Sequence, residues 1–319
     1  MRGSCQFAKG IHPAGRTFFV TNRSHASSAR VTCQLDAARY RFPTPAHAMK
    51  AYQRLLFACL PLLALPACYE VPVTGRRALN LVDNNELTKV SMAMFEEEKR
   101  RTRPSRDRAR NEQLQRVGNR IAKAVFWDMP DADWEFVVFE SPEVNAFAMA
   151  GGKVGVKSGL YKIVKNDDQL AFVIAHEIAH VTAKHVHQRL SRAMAVSTVG
   201  AVGAIGSAVA GAAPLSVELL GAAYGIGTGA VVLAFDRAAE KEADYVGLLY
   251  MARAGYDPQE AVKVLEGLEL ESATNPHPSP FFSTHPPHPE RILQVIDAMP
   301  KALAERAKSA AQSAPVLVK

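Results

Sequence analysis

Asp168-Gln169-Leu170-Ala171-Phe172-Val173-Ile174-Ala175-His176-Glu177-Ile178-Ala179-His180-Val181-Thr182-Ala183-Lys184-His185 carries two histidines four residues apart, with a glutamate directly after the first. The stretch has no Gly or Pro and reads as a helix running from Asp167 to Arg192, with Asn166-Asp167-Asp168 as its N-cap region. Residues i and i+4 of a helix lie on one face, so both imidazoles can reach one metal ion. Glu177 is then placed to act as general base toward a water activated at that metal. Two neutral imidazoles and one carboxylate suit zinc, which keeps a fourth position for water. Three fixed residues in five also occur by chance, so the rest of the chain has to supply the missing parts.

The first missing part is a third protein ligand, often a Glu from a second helix. Phe235-Asp236-Arg237-Ala238-Ala239-Glu240-Lys241-Glu242-Ala243-Asp244-Tyr245-Val246-Gly247 offers it. Glu240 and Asp244 share a helix face. Glu240 can bind the metal, and Asp244 can accept the N–H of a ligating histidine and so set its tautomer. Glu242 points off that face and is expected in solvent. The longer H-E-x-x-H-x-x-G-x-x-H scheme fails, because Ala183 stands in place of its Gly and Val186 in place of its third His. His185 and His187 are expected to pack or to support the ligands rather than to bind metal.

Four further stretches accompany these two. They are Pro72-Val73-Thr74-Gly75-Arg76-Arg77-Ala78-Leu79-Asn80-Leu81; Asn145 to Val154 with Ser158-Gly159-Leu160; Gly255-Tyr256-Asp257-Pro258; and Ser283-Thr284-His285-Pro286-Pro287-His288-Pro289-Glu290-Arg291-Ile292. Together, from about Pro72 to Ile292, the six resemble metallopeptidase family 48, which includes HtpX-like, CAAX-protease-like and BepA-like enzymes, and within it the periplasmic lipoprotein branch. The resemblance implies an α+β, mainly helical zincin domain of gluzincin type, with a small sheet beside the H-E-x-x-H helix. It implies one zinc per chain on His176, His180 and Glu240, with Glu177 as base and Asp244 behind the ligands. His285 would lie near the zinc, either stabilising the transition state or capping the metal in a latent form. Arg291 would anchor that loop or Asp244. Asn145, Ala146, Phe147 and Ala148 would form an edge strand beside the cleft.

The residues themselves support a sheet there. Asp133 to Phe139 alternates as a strand does, and Ala146–Met149 and Lys153–Val156 read as a hairpin about Gly151-Gly152. An exposed edge strand can pair with an extended peptide. An ordinary sheet covering the helix would look the same in sequence.

Upstream, Met49 to Arg54 is a short basic region, Leu55 to Leu65 a short apolar one, and Leu65-Pro66-Ala67-Cys68 resembles a lipobox with Cys68 as lipid acceptor. Residues 49–67 therefore read as a lipoprotein signal peptide, too short for a membrane span. Residues 1–48 read as lying upstream of the true translation start at Met49, with an Arg-rich organellar transit peptide as the alternative. Of 38 Lys and Arg and 31 Asp and Glu in the chain, nine and one precede Cys68. The remainder is near neutral, which gives no case for nucleic-acid binding. Cys68 is the single cysteine beyond the signal, so no internal disulfide forms in the mature chain.

Residues 68–83 read as a lipidated linker, 84–302 as the catalytic domain, and 303–319 as a loose tail. Within the domain, helices are expected over Asn84–Trp127 with a charged break near Arg100–Arg110, over Arg237–Ala254, over Pro258–Leu268, and from Glu290 with a break at Pro300. Ala193 to Ala234, rich in Ala and Gly, reads as buried helices packed through small residues, with a membrane hairpin as the rival. The functional expectation is a zinc endopeptidase, lipid-anchored to the outer membrane and facing the periplasm; the family resemblance alone implies that it acts on misfolded or misassembled envelope proteins. Its partners would be protein substrates and outer-membrane assembly proteins. The rivals are a latent or chaperone-like lipoprotein and an integral membrane protease acting on membrane proteins.

Overall fold

Four of the long helices begin on an Asp or Asn whose side chain accepts a backbone N–H three residues on. Asp83 caps α1 (Asn84–Arg101), Asp107 caps α2 (Arg108–Ala124), Asn166 caps α3 (Asp167–Thr182) and Asp236 caps α4 (Arg237–Arg253). The computed structural model describes residues 8–9, 18–19, 68–192, 220–221, 224, 235–275, 280–286 and 288–313. The chain divides into two units, Met1–Cys59 and Leu60–Lys319. In the first, strands β1 (Ala8–Lys9) and β2 (Phe18–Phe19) pair antiparallel. The signal-peptide reading of residues 49–67 lies outside the described residues.

The described part of the second unit begins with a hairpin, within the residues 68–83 that read as a linker. Strand β3 (Cys68–Glu70) pairs antiparallel with β4 (Arg77–Leu79). The turn carries two left-handed residues, Val73 (φ 70°) and Gly75 (φ 68°). The hairpin is fastened to the body: Tyr69 donates its hydroxyl to the Thr182 carbonyl at 2.7 Å, and the Leu81 N–H donates to Ser191 Oγ at 2.9 Å.

Strands β5 (Glu135–Phe139), β6 (Ala146–Met149) and β7 (Lys153–Lys157) form one sheet in the order β5-β7-β6. β6 and β7 are the expected hairpin, and Gly151 and Gly152 at its turn both have positive φ, 87° and 85°. β5 runs parallel to β7. Alternation sorts the faces. Phe136, Val138, Ala146, Ala148, Val154 and Val156 face the core shared with α2 and α3, while Phe139, Phe147 and Met149 join Phe95 of α1 on the other side.

Helix α3 sits at the centre. Thirteen of its 16 residues are buried, which fits an apolar sequence with no consistent polar face. It packs against α4, β6, α2 and α5 (Glu260–Thr274). The contact with α4 is close at Gly247, where a Cβ would lie 2.8 Å from the His176 backbone nitrogen. Only a residue without a side chain lets the two ligand-bearing helices approach this far. The short α6 (Pro280–Thr284) and α7 (Pro289–Ser313) complete the body.

Three expectations are corrected. α3 ends at Thr182; a turn at Ala183-Lys184 follows, with Lys184 left-handed (φ 54°), and helix resumes over 185–192. α7 runs unbroken through Pro300 to Ser313, so residues 303–313 are helix rather than loose tail. Proline removes the N–H that would bond the carbonyl four residues earlier, and that residue, Ile296, is 51% exposed, so water can take the bond. The helix expected over Pro258–Leu268 is α5, which starts two residues later, at Glu260, and runs on to Thr274. Most of Ala193–Ala234 lies outside the described residues; Leu220 and Tyr224 are helical and buried. Among the described residues no helix is long and apolar enough to cross a membrane.

Candidate metal centre and active site

Helices α3 and α4 and the segment after α6 bring four ligand atoms to one buried point. His176, His180, Glu240 and His285 each offer an atom within 4.8 Å of all the others. His176 Nε2 lies 3.1 Å from His180 Nε2 and 3.4 Å from His285 Nδ1. Glu240 Oε1 lies 3.3 Å from His180 Nε2 and 2.9 Å from His285 Nδ1, and Glu240 Oε2 is 3.6 Å from His176 Nε2. Tetrahedral ligands at bonds of about 2.0 Å stand about 3.3 Å apart, so the spacing fits a zinc-like ion.

The donor chemistry fits as well. His176 Nδ1 is 2.9 Å from Asp244 Oδ1. A carboxylate only accepts, so the imidazole proton sits on Nδ1 and Nε2 presents a bare lone pair to the cluster. Both groups are buried, and among the described residues no other acceptor stands this near Nδ1. Arg291 closes this side. It donates to both Asp244 oxygens, at 2.6 and 2.8 Å, and lies 2.8 Å from Glu240 Oε2. Arg291 thus touches both Asp244 and Glu240.

Glu177 stands beside the cluster, outside it. Its Oε1 is buried, has no hydrogen-bond partner among the described residues, and lies 3.6 Å from His285 Nε2. Burial pushes its carboxyl above the ordinary range, partly countered by His285 and His176. For Glu240 burial pulls the same way, but its contacts with Arg291, His180 and His285 outweigh it and hold the carboxyl well below that range. Burial drives His180 well below its usual value, keeping it neutral.

His285 is the residue whose place the sequence left most open. It is 4% exposed. Its ring stacks on Phe281 at 4.6 Å and leans on Phe235 at 5.2 Å, and its backbone N–H donates to the Phe281 carbonyl at 2.7 Å. Phe235 in turn donates its N–H to the Thr284 carbonyl and packs on the His180 ring at 4.0 Å. Phe235 stands at the head of the Glu240 stretch and Phe281 just before the His285 stretch, but the spacing of the ligands carries no signal for either aromatic wall.

Ala146, Phe147 and Ala148 lie in β6, an outer strand of the described sheet that packs beside α3, and Asn145 immediately precedes it. The Asn145 carbonyl accepts from Lys157, so residues 145, 147 and 149 turn their polar groups toward β7 and residues 146 and 148 turn theirs outward. The next outward N–H, of Ala150, is taken by the Tyr224 hydroxyl at 3.0 Å.

Glu242 is not in solvent. His185 Nε2 lies 2.9 Å from it, and Arg76 and Thr74 of the β3–β4 turn donate to it. Burial acts to raise its carboxyl, but these partners together bring it down to about 2. His187 is buried, which lowers it to about 4.

The profile of peptidase family M48 matches residues 108–298, spanning the sheet, the H-E-x-x-H helix, Glu240 and Arg291. The chain belongs to peptidase family M48. It is 35% identical over 181 residues to the mitochondrial metalloendopeptidase OMA1 of Schizosaccharomyces pombe, covering 57% of this chain and 51% of that protein. It is 35% identical over 203 residues to the protein of the same name from Saccharomyces cerevisiae, covering 59% and 56%. With the beta-barrel assembly-enhancing protease of Escherichia coli it shares 35% over 160 residues, covering 48% and 32%. The matched region thus spans between a third and just over half the length of these relatives.

Proposed function

We propose that the chain is a zinc-dependent metalloendopeptidase of the bacterial cell envelope that cleaves misfolded or misassembled envelope proteins. The observation that carries this is the convergence of His176, His180 and Glu240 on one buried point, with the unpartnered Glu177 Oε1 beside it. The relatives named as a metalloendopeptidase and as a beta-barrel assembly-enhancing protease support the reaction and the envelope setting. The lipobox ending at Cys68 supports a lipid anchor to the outer membrane, with the body in the periplasm; the mitochondrial relatives support an organellar setting as the alternative.

Bound on these residues, zinc supplies Lewis acidity toward water and the scissile carbonyl. The chain supplies the rest. The outward edge of Ala146 and Ala148 holds the substrate backbone as an added strand. Glu177 takes a proton from the attacking water at Oε1 and returns it to the leaving amine nitrogen. Asp244 and Arg291 keep His176 and Glu240 aimed at the metal. The test uses the full-length chain and casein. Cleavage that is lost with a zinc chelator and restored by stoichiometric zinc, with one zinc per chain, supports the reading. A zinc-loaded chain without cleavage favours the latent or chaperone-like lipoprotein instead.

One observation favours a latent resting form. His285 Nδ1 stands inside the ring of ligand atoms, where a fourth ligand belongs and where catalysis needs an open position. If His285 caps the site, His285→Ala raises casein cleavage about 10-fold or more, the inverse of an open population of at most about 10%. If His285 stabilises the oxyanion, the same change lowers cleavage by about 100-fold.

A further inference from the structure

The two metal-binding histidines are held from behind in parallel ways, and one of them reaches the amino-terminal hairpin. His176 rests directly on Asp244, which rests on Arg291. His180 Nδ1 instead faces His185 Nδ1 at 2.9 Å, and His185 Nε2 faces Glu242 Oε2 at 2.9 Å. Glu242 accepts from Arg76 Nε at 3.0 Å and Nη2 at 2.5 Å, and from the Thr74 hydroxyl at 2.8 Å. Glu240, Glu242 and Asp244 of one helix thus serve the metal, His180 and His176 respectively.

Proton placement along the second chain has one consistent solution. His180 Nε2 belongs to the ligand cluster and must present a lone pair, so its proton is on Nδ1. His185 Nδ1 accepts that proton's hydrogen bond, which leaves the His185 proton on Nε2, and Glu242, a carboxylate, can only accept it. The opposite order would aim a proton from His180 into the ligand cluster. The backbone is bent to make this contact. Residues five apart on an unbroken helix diverge by about 140° around the axis. The turn at Ala183-Lys184, with Lys184 in a left-handed conformation that L residues rarely adopt, brings His185 back onto His180.

We propose that His185, Glu242 and Arg76 are a positioning relay for His180, so that docking of the Cys68–Leu79 hairpin is a condition of tight metal binding. The inference rests on the metallopeptidase reading above. The test uses the full-length chain with His185→Phe, Arg76→Ala and Arg76→Lys. Zinc affinity is measured by competition with a chromophoric chelator, the cobalt-substituted ligand-field spectrum is recorded, and thermal unfolding is followed in excess chelator. His185→Phe and Arg76→Ala are expected to weaken zinc binding about 10- to 100-fold and to alter the cobalt spectrum, while the chelated proteins unfold near the wild-type temperature. Arg76→Lys, which keeps the charge but not the fork, recovers part of the loss. Should His185→Phe not fold, Arg76→Ala carries the test, since that side chain is 40% exposed. Wild-type affinity and spectrum in a folded variant overturn the relay, as does a lower unfolding temperature with unchanged zinc affinity. A wild-type chain that takes up no zinc overturns the metal centre and the relay together.

Discussion

Glu177→Gln is expected to abolish cleavage and to leave metal binding intact. The separation follows from position. Glu177 is not among the four residues whose atoms converge, so its loss removes no ligand. The amide keeps the volume of the carboxyl in a site where Glu177 is 3% exposed, so the packing is undisturbed. What disappears is the ability to take a proton from water and give it to the amine. Positioned general acid–base groups contribute about 10²- to 10⁴-fold, and kcat/KM should fall by that amount. The measurement is casein or quenched-peptide turnover beside zinc content for wild type and variant. Cleavage within tenfold of wild type, at equal zinc, would show that another group moves the proton; His285, whose Nε2 is 3.6 Å from Glu177 Oε1, is the nearest candidate.

How much of this could be read beforehand depended on whether the contact was local. His176, Glu177 and His180 are set by helix periodicity alone, and Glu240 and Asp244 by the same i, i+4 rule on a second helix. The Gly151-Gly152 hairpin was legible because positive φ at both turn residues calls for glycine. The second support of the metal was not. It needs Lys184, a residue with no preference for a left-handed turn, to break a helix that reads as continuous, and it needs Arg76 to meet Glu242 across 166 positions. The motif around Arg76 was visible, but nothing in it says which surface it joins. Glu242 was assigned to solvent on helix phase, and phase is silent about a hairpin laid over that face. Pro300 reads as a break because it removes one helix hydrogen bond, yet α7 continues through it, with Ile296 four residues earlier 51% exposed.

The largest loss of stability is expected from Arg291→Met. Arg291 is 4% exposed and is the cation shared by two carboxylates, Asp244 and Glu240, that are fully buried. Removing one member of a buried ion cluster leaves the other charges unpaired, at about 3–5 kcal/mol. Methionine matches the aliphatic stem, so little of the cost should come from lost packing. The measurement is urea unfolding in excess chelator, which removes any contribution of the metal. The mechanism makes a sharper demand on the double variant. Once Arg291 is gone, Asp244→Asn removes one of the stranded charges, so adding it should restore stability, whereas in the wild-type background the same change should destabilise. That reversal of sign is a coupling energy between contacting residues. It cannot arise if Arg291 merely fills space. A single-variant cost under about 1 kcal/mol, or the same sign for Asp244→Asn in both backgrounds, would mean that the cluster is solvated and that Asp244 does not depend on Arg291 to hold His176.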